Sequence, residues 1–180
     1  MPLTFPPPAT ENETPDVVEL LLDCHQRIRF FTELARRLGE ADDLPADEVR
    51  GAAARVRRYF TEALPLHVAD EEESLTPRLR GREPELDAAL ERMATEHRRH
   101  EPLLATLVAT CEALEAAPAR HAGLRGTLLE TAAALAEEFE VHLGQEERVV
   151  IPALRRLFAA DLRAALADEV RARRKRAWQG

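Results

Sequence analysis

Two stretches decide how this chain is read: HVADEEESLTPRL, residues 67–79, and HLGQEERVVIPAL, residues 142–154. Each opens on a histidine, places a glutamate pair four and five residues later, and reaches a proline at the eleventh position. Each closes on a leucine two residues after that proline. On a helix, residues i and i+4 share a face, so His67 with Glu71 and His142 with Glu146 each aim a nitrogen and an oxygen donor into one space. The stretches share little else, so the repeat points to a constraint on the His/Glu pair itself.

Working outward, both stretches lie on long helical patterns. Thr14-Pro15 reads as a helix start, with Thr14 as N-cap and Pro15 at the first helical position. Val17, Leu21, Ile28, Phe31 and Leu38 follow at helical spacing, and Gly39 reads as the stop. His25 lies four after Leu21 and three before Ile28, on the buried stripe. ADDLPADE is a linker, and a second helix is predicted from about Ala46 to Ser74, with the stripe Val56, Phe60, Ala63 and His67 and a bend at Pro65. A third runs from Pro84 to about Glu115 through Leu86, Leu90, Met93, His97, His100, Leu104 and Leu107, and Pro102 predicts a local distortion in it. The fourth carries Leu128, Ala132, Leu135, Phe139, His142, Glu146 and Val149.

The expected organisation is therefore all-α. Residues 1–13, with Pro2, Pro6, Pro7 and Pro8 among polar neighbours, read as a flexible arm. Residues 14–154 form an up-down-up-down four-helix bundle. Residues 155–180 form a basic amphipathic helix packed on the bundle or extending from it. The bundle also repeats internally: 42 residues separate His25 from His67, and 45 separate His97 from His142.

Composition narrows the function. Seven glycines in 180 residues and 45% hydrophobic but 4% aromatic content suit a helical core of Leu, Ala and Val. A formal net charge of -8 argues against nucleic acid as a partner, because phosphate binding needs a basic surface. The terminal RARRKR reads as cations at a helix end. Cys24 and Cys111 form no CxxC pair, no signal-peptide pattern opens the chain, and no run approaches the roughly 20 apolar residues of a membrane span. A cytoplasmic protein without a membrane contact is expected; its oligomeric state is not legible.

Four of six histidines mark the buried stripes of four different helices. One such histidine is ordinarily a satisfied core residue. Four together, each costly in a core unless paired or coordinated, point to a metal site. Glutamate four after a histidine arises by chance roughly once in ten, yet it follows His67, His97 (as Glu101) and His142. Imidazole and carboxylate donors without thiolate, too many for one tetrahedral zinc, suit two bridged first-row ions, iron first and manganese second. Glu-x-x-His and HExxH spacings are both absent.

CHQRI, HVADEEESLTPRL, EHRRHE and HLGQEERVVIPAL together resemble the hemerythrin-like, HHE cation-binding family over about Pro15 to Leu154. The resemblance implies a non-haem di-iron centre inside the bundle. His25 and His67 would bind one iron; His97, His142 and a third-helix partner would bind the other. Glu71 and Glu146 would bridge them, and Pro77 and Pro152 would end the ligand helices on one side. Oxygen carriers of that family have a second histidine four residues after the first on the third helix, where this chain has Glu101. His100, at i+3, is the alternative if Pro102 shifts the turn; the i+4 geometry favours Glu101. A carboxylate there would stabilise ferric iron and disfavour reversible oxygen carriage.

Glu72 and Glu147 read as residues behind the ligands or as solvated, Cys24 as a small core residue rather than a thiolate ligand, and His121 as solvated; Tyr59, two turns before His67, is a minor candidate for a role near the iron. The function expected is binding, sensing or detoxifying a small oxidant (oxygen, nitric oxide or peroxide). The alternatives are a peroxide-decomposing or iron-oxidising enzyme, and iron storage or a structural-metal interaction module.

Overall fold

Asp16 starts the first helix. In the computed structural model, which describes residues 14–177 and 179, Asp16 Oδ1 accepts from the backbone N–H groups of Val18 (2.8 Å) and Glu19 (3.3 Å). The Glu19 carboxylate accepts in return from the Asp16 N–H at 2.8 Å. This reciprocal cap satisfies donors that a helix start leaves without partners. It sets α1 at Val17–Glu40, with the cap two residues beyond the expected Thr14. Gly39 does not stop α1. A Cβ there would meet Leu129 Cγ at 2.9 Å and the Leu129 backbone nitrogen at 3.0 Å, so Gly39 lets α1 approach the fourth arm closely.

The second arm is α2 (Ala46–Arg58), α3 (Leu64–Ala69) and α4 (Thr76–Leu79), joined by wide π-helical turns at Tyr59–Ala63 and Asp70–Leu75. It runs to Leu79 and not to Ser74. The third arm is α5 (Pro84–Ala116). A short 3₁₀ turn, Pro118–Arg120, leads into the fourth: α6 (His121–Gln145), a π turn at Glu146–Val150, and α7 (Ile151–Leu157). A further helix, α8 (Ala160–Ala177), follows. Among the described residues there is no strand. The arm expected over residues 1–13 lies outside the described residues.

The π turns explain the motif prolines. The N–H groups of Leu64, Thr76 and Ile151 donate to the carbonyls of Tyr59, Glu71 and Glu146, each five residues back. The next residue is in every case proline: Pro65, Pro77 and Pro152. Proline offers no N–H and its ring crowds the carbonyl four residues before it, and widening the turn relieves that conflict. The bend expected at Pro65 takes this form. Pro77 and Pro152 do not themselves end their helices, which stop two and five residues further on, at Leu79 and Leu157. Pro102 lies inside α5, which continues through it without the wide π turn that accompanies Pro65, Pro77 and Pro152.

α1 packs on α2 and α6, and α5 packs on the same two, giving the up-down-up-down order. The core divides in two. One cluster centres on Ile28, Leu38, Phe60, Leu64, Leu107, Leu135 and Phe139. The other holds Leu21, Leu75, Leu90, Met93, Val150 and Leu154, and α8 completes it with Leu166 and Val170. Every arm passes from one cluster to the other through its histidines: Leu21 to His25 to Ile28, Leu64 to His67 to Leu75, Met93 to His97 to Leu107, Phe139 to His142 to Val150. The polar residues thus form a belt between two apolar layers.

Candidate metal centre

Each arm delivers donors to that belt. His25 comes from the middle of α1, His67 from α3, His97 and His100 from α5, and His142 from the last turn of α6. Glu71 and Glu146 each sit at the start of a π turn, one turn beyond a histidine. His67 Nε2 is 3.2 Å from Glu71 Oε1, and His97 Nε2 is 3.2 Å from Glu71 Oε2. His25 Nε2 is 3.0 Å from Glu146 Oε2, and His142 Nε2 is 2.9 Å from Glu146 Oε1. Each carboxylate thus turns one oxygen to each pair of imidazoles. Two four-residue groups result, His25/His67/Glu71/Glu146 and Glu71/His97/His142/Glu146, with donor atoms in each within 4.8 Å of one another.

These donors fit metal ions better than one another. Nε2 of His25, His67 and His97, with Glu71 Oε2 and Glu146 Oε1, are buried without a hydrogen-bond partner. They are close but not aligned as donors and acceptors. Two ligands each about 2.1 Å from one ion and at right angles stand about 3 Å apart, which is the spacing seen. Electrostatics agree. Burial, then the Glu146 charge, push the Glu71 carboxyl well above the ordinary range. Burial opposes ionisation of Glu146 as well, but the His142 and His25 imidazoles beside it hold it well below that range. Burial also opposes a charge on His142, yet Glu146 and Glu71 raise it to about 9. Burial lowers His67 to about 3, with the neighbouring imidazoles adding to the effect. Two carboxylates sharing one dry site cannot both ionise cheaply, and cations between them remove the conflict.

Three imidazoles are also held from behind. Nδ1 of His25 donates to Glu147 at 3.0 Å, Nδ1 of His97 to Glu72 at 2.8 Å, and Nδ1 of His142 to Glu96 at 2.9 Å. A carboxylate only accepts, so Nδ1 carries a proton and Nε2 is the nitrogen left for a metal, which His142, raised to about 9, would offer by giving up its Nε2 proton. Arg29 in turn holds Glu147 at 2.9 Å. Glu72 and Glu147 therefore stand behind the histidines and not merely in solvent. Glu96 was not singled out by sequence, although it directly precedes His97.

The third arm departs from expectation. The Glu101 side chain is on the exposed face of α5 and belongs to neither donor group, whereas His100 is buried with Nε2 unpartnered. The His100 ring lies 5.2 Å from that of His142 and 4.8 Å from that of Phe139. Burial, with His142 and His97 nearby, lowers its pKa to about 4, so the ring is neutral at neutral pH. The repeat holds the signal that identifies the inward position. Three residues after His25 is Ile28, a core residue, and four after is Arg29, a partly exposed one. His121 is buried rather than solvated, with Nε2 2.7 Å from the Leu38 carbonyl. Tyr59 stacks on Phe31 and donates to the Cys24 carbonyl at 3.4 Å, a packing role.

Four imidazoles and two shared carboxylates between apolar layers define an all-α metal-binding bundle. The chain belongs to the hemerythrin family: the hemerythrin HHE cation-binding domain profile matches residues 16–116. The match takes in His25, His67, Glu71 and His97; His142 and Glu146 lie beyond it and join them through the geometry above. Neither a curated protein nor a solved structure gives a match. No helix among the described residues is long and apolar enough to cross a membrane.

Proposed function

We propose that the chain holds two iron ions and uses them to bind, sense or detoxify a small oxidant: oxygen, nitric oxide or peroxide. His25 and His67 serve one ion, His97 and His142 the other, and Glu71 and Glu146 offer an oxygen to each. The absence of thiolate among these donors suits first-row ions of iron type. The free cysteines, Cys24 and Cys111, suit a reducing compartment such as the cytoplasm.

The observation that carries this reading is a cavity of about 30 Å³ against the donors, lined by His67, His97, His100 and His142 and by apolar Ile28, Leu64 and Phe139. Such a space admits one water-sized molecule. Its lining is mainly apolar apart from the imidazoles, and His100, whose Nε2 has no hydrogen-bond partner, is one of the residues beside a small guest. A ferrous pair, when bound, supplies two electrons for reduction of such a guest.

The test is anaerobic reconstitution with ferrous iron, metal analysis, and optical spectra on adding oxygen, nitric oxide or peroxide. Two irons per chain and a spectral response to at least one of the three are expected. Fewer than two irons, or no response to any, would overturn the reading. The two shared anionic carboxylates favour a second reading, turnover of peroxide or oxidation of iron, because anionic oxygens stabilise the oxidised ions. A stable, reversible oxygen adduct would count against turnover.

A further inference from the structure

The two halves of the bundle match position for position, and one mismatch stands out at the centre. His25 corresponds to His97, His67 to His142, Glu71 to Glu146 and Glu72 to Glu147. Glu147 of the fourth arm reaches His25, and Glu72 of the second reaches His97, so this pair of supports obeys the repeat. The next pair does not. His142 Nδ1 donates to Glu96, the residue before His97. The residue before His25 is Cys24, and His67 Nδ1 is buried with no partner at all. Where one half offers a carboxylate, the other offers a thiol whose sulfur lies 3.3 Å from the Arg174 guanidinium.

We infer that the two metal positions are unequal and fill in order: the first ion enters at His97/His142, the second at His25/His67. The inference rests on the two-metal reading above. A carboxylate behind a metal-binding imidazole fixes its tautomer and ring orientation and makes its other nitrogen a better donor. Losing such a partner costs about ten- to a hundred-fold in metal affinity. Both histidines of the first-filled position have that support, and only His25 has it at the other. His67 must also keep an unpartnered ring nitrogen in a dry layer when it coordinates. Glu96 is thus a positioning residue that acts through His142, and Cys24 is the place where its counterpart is missing.

Cobalt(II) is a suitable probe, because its anomalous scattering locates it. Crystals of the full chain with one equivalent of Co²⁺ are expected to hold it at His97/His142, about ten-fold or more over the other position. Excess Co²⁺ should fill both. Glu96→Gln should bring the one-equivalent occupancies towards parity, whereas Glu147→Gln should leave the preference in place or sharpen it. Equal occupancy in the parent chain, a peak at His25/His67 first, or a Glu96→Gln chain with an unchanged preference would overturn the order. Fewer than two sites at excess Co²⁺ would overturn the two-metal reading itself, and so separates the two failures. The parent crystals decide the order even if a variant does not fold.

Discussion

Glu71 and Glu146 differ from the histidines in that each belongs to both donor groups, while each imidazole belongs to one. That difference explains why the most visible sequence signal is a His/Glu pair and not histidine alone. The i+4 spacing correctly placed His67 with Glu71 and His142 with Glu146 on shared faces. Applied to His97, the same spacing pointed to Glu101, which faces outward. On the packed side of α5 the i+3 position is the inward one, as Ile28 shows in the other half. Glu96 was not legible because a hydrogen bond to an imidazole 46 residues away has no helical periodicity. A pair of substitutions checks the third arm: Glu101→Ala should keep two irons and parent spectra, whereas His100→Ala should keep the irons but alter the spectral response to small oxidants. An iron loss in Glu101→Ala of a half or more would restore Glu101 as a ligand.

At the scale of elements, the proline of each repeat does structural work on the glutamate before it. Thr76 and Ile151 bond to the Glu71 and Glu146 carbonyls because the following prolines, Pro77 and Pro152, force the turn wide. Replacing Pro152 by alanine restores an N–H and removes the ring clash, so the turn can tighten to an ordinary helix. Tightening would rotate Glu146 relative to His142. Pro152→Ala is therefore expected to retain or raise helix content by circular dichroism while weakening iron binding about ten-fold, the scale of a disturbed ligand orientation. Unchanged affinity would mean that the core packing around Val150 and Leu154 alone seats the carboxylate. The existence and order of the helices were legible from apolar spacing, since the stripes of all four arms are long. The π turns were not, because a single inserted residue in a helix leaves too short a trace in the pattern. Pro102 shows the limit of the proline signal, for unlike Pro65, Pro77 and Pro152 it brings no π turn and α5 continues through it.

At the scale of the molecule, the metal belt joins two apolar layers, and α8 closes the second of them. Its hold is ionic as well as apolar. Arg173 and Arg174 both engage the fully buried Asp70, the latter at 2.8 Å, and Glu169 accepts from Ser74 at 2.6 Å. Burial pushes the Asp70 carboxyl above its ordinary range although two guanidiniums face it, so the carboxylate depends on them. The double substitution Arg173→Ala/Arg174→Ala removes both partners and should cost about 3–5 kcal/mol of stability, the scale for breaking a buried ion pair. A urea midpoint equal to that of the parent would show that Leu166 and Val170 alone hold α8. The belt itself makes the last test. Without metal, the donors of four arms are left unpaired between layers that cannot solvate them. Metal binds the folded chain and not the unfolded one, so free metal at a thousand times the dissociation constant adds about 4 kcal/mol. Removing iron by chelation should therefore lower the melting temperature and speed amide exchange first around residues 67–71 and 142–146, where the π turns carry the glutamates. The two clusters, each closed by its own leucines, should keep slower exchange than the belt. Equal melting temperatures with and without iron would mean that the apolar layers hold the bundle without any contribution from the centre between them.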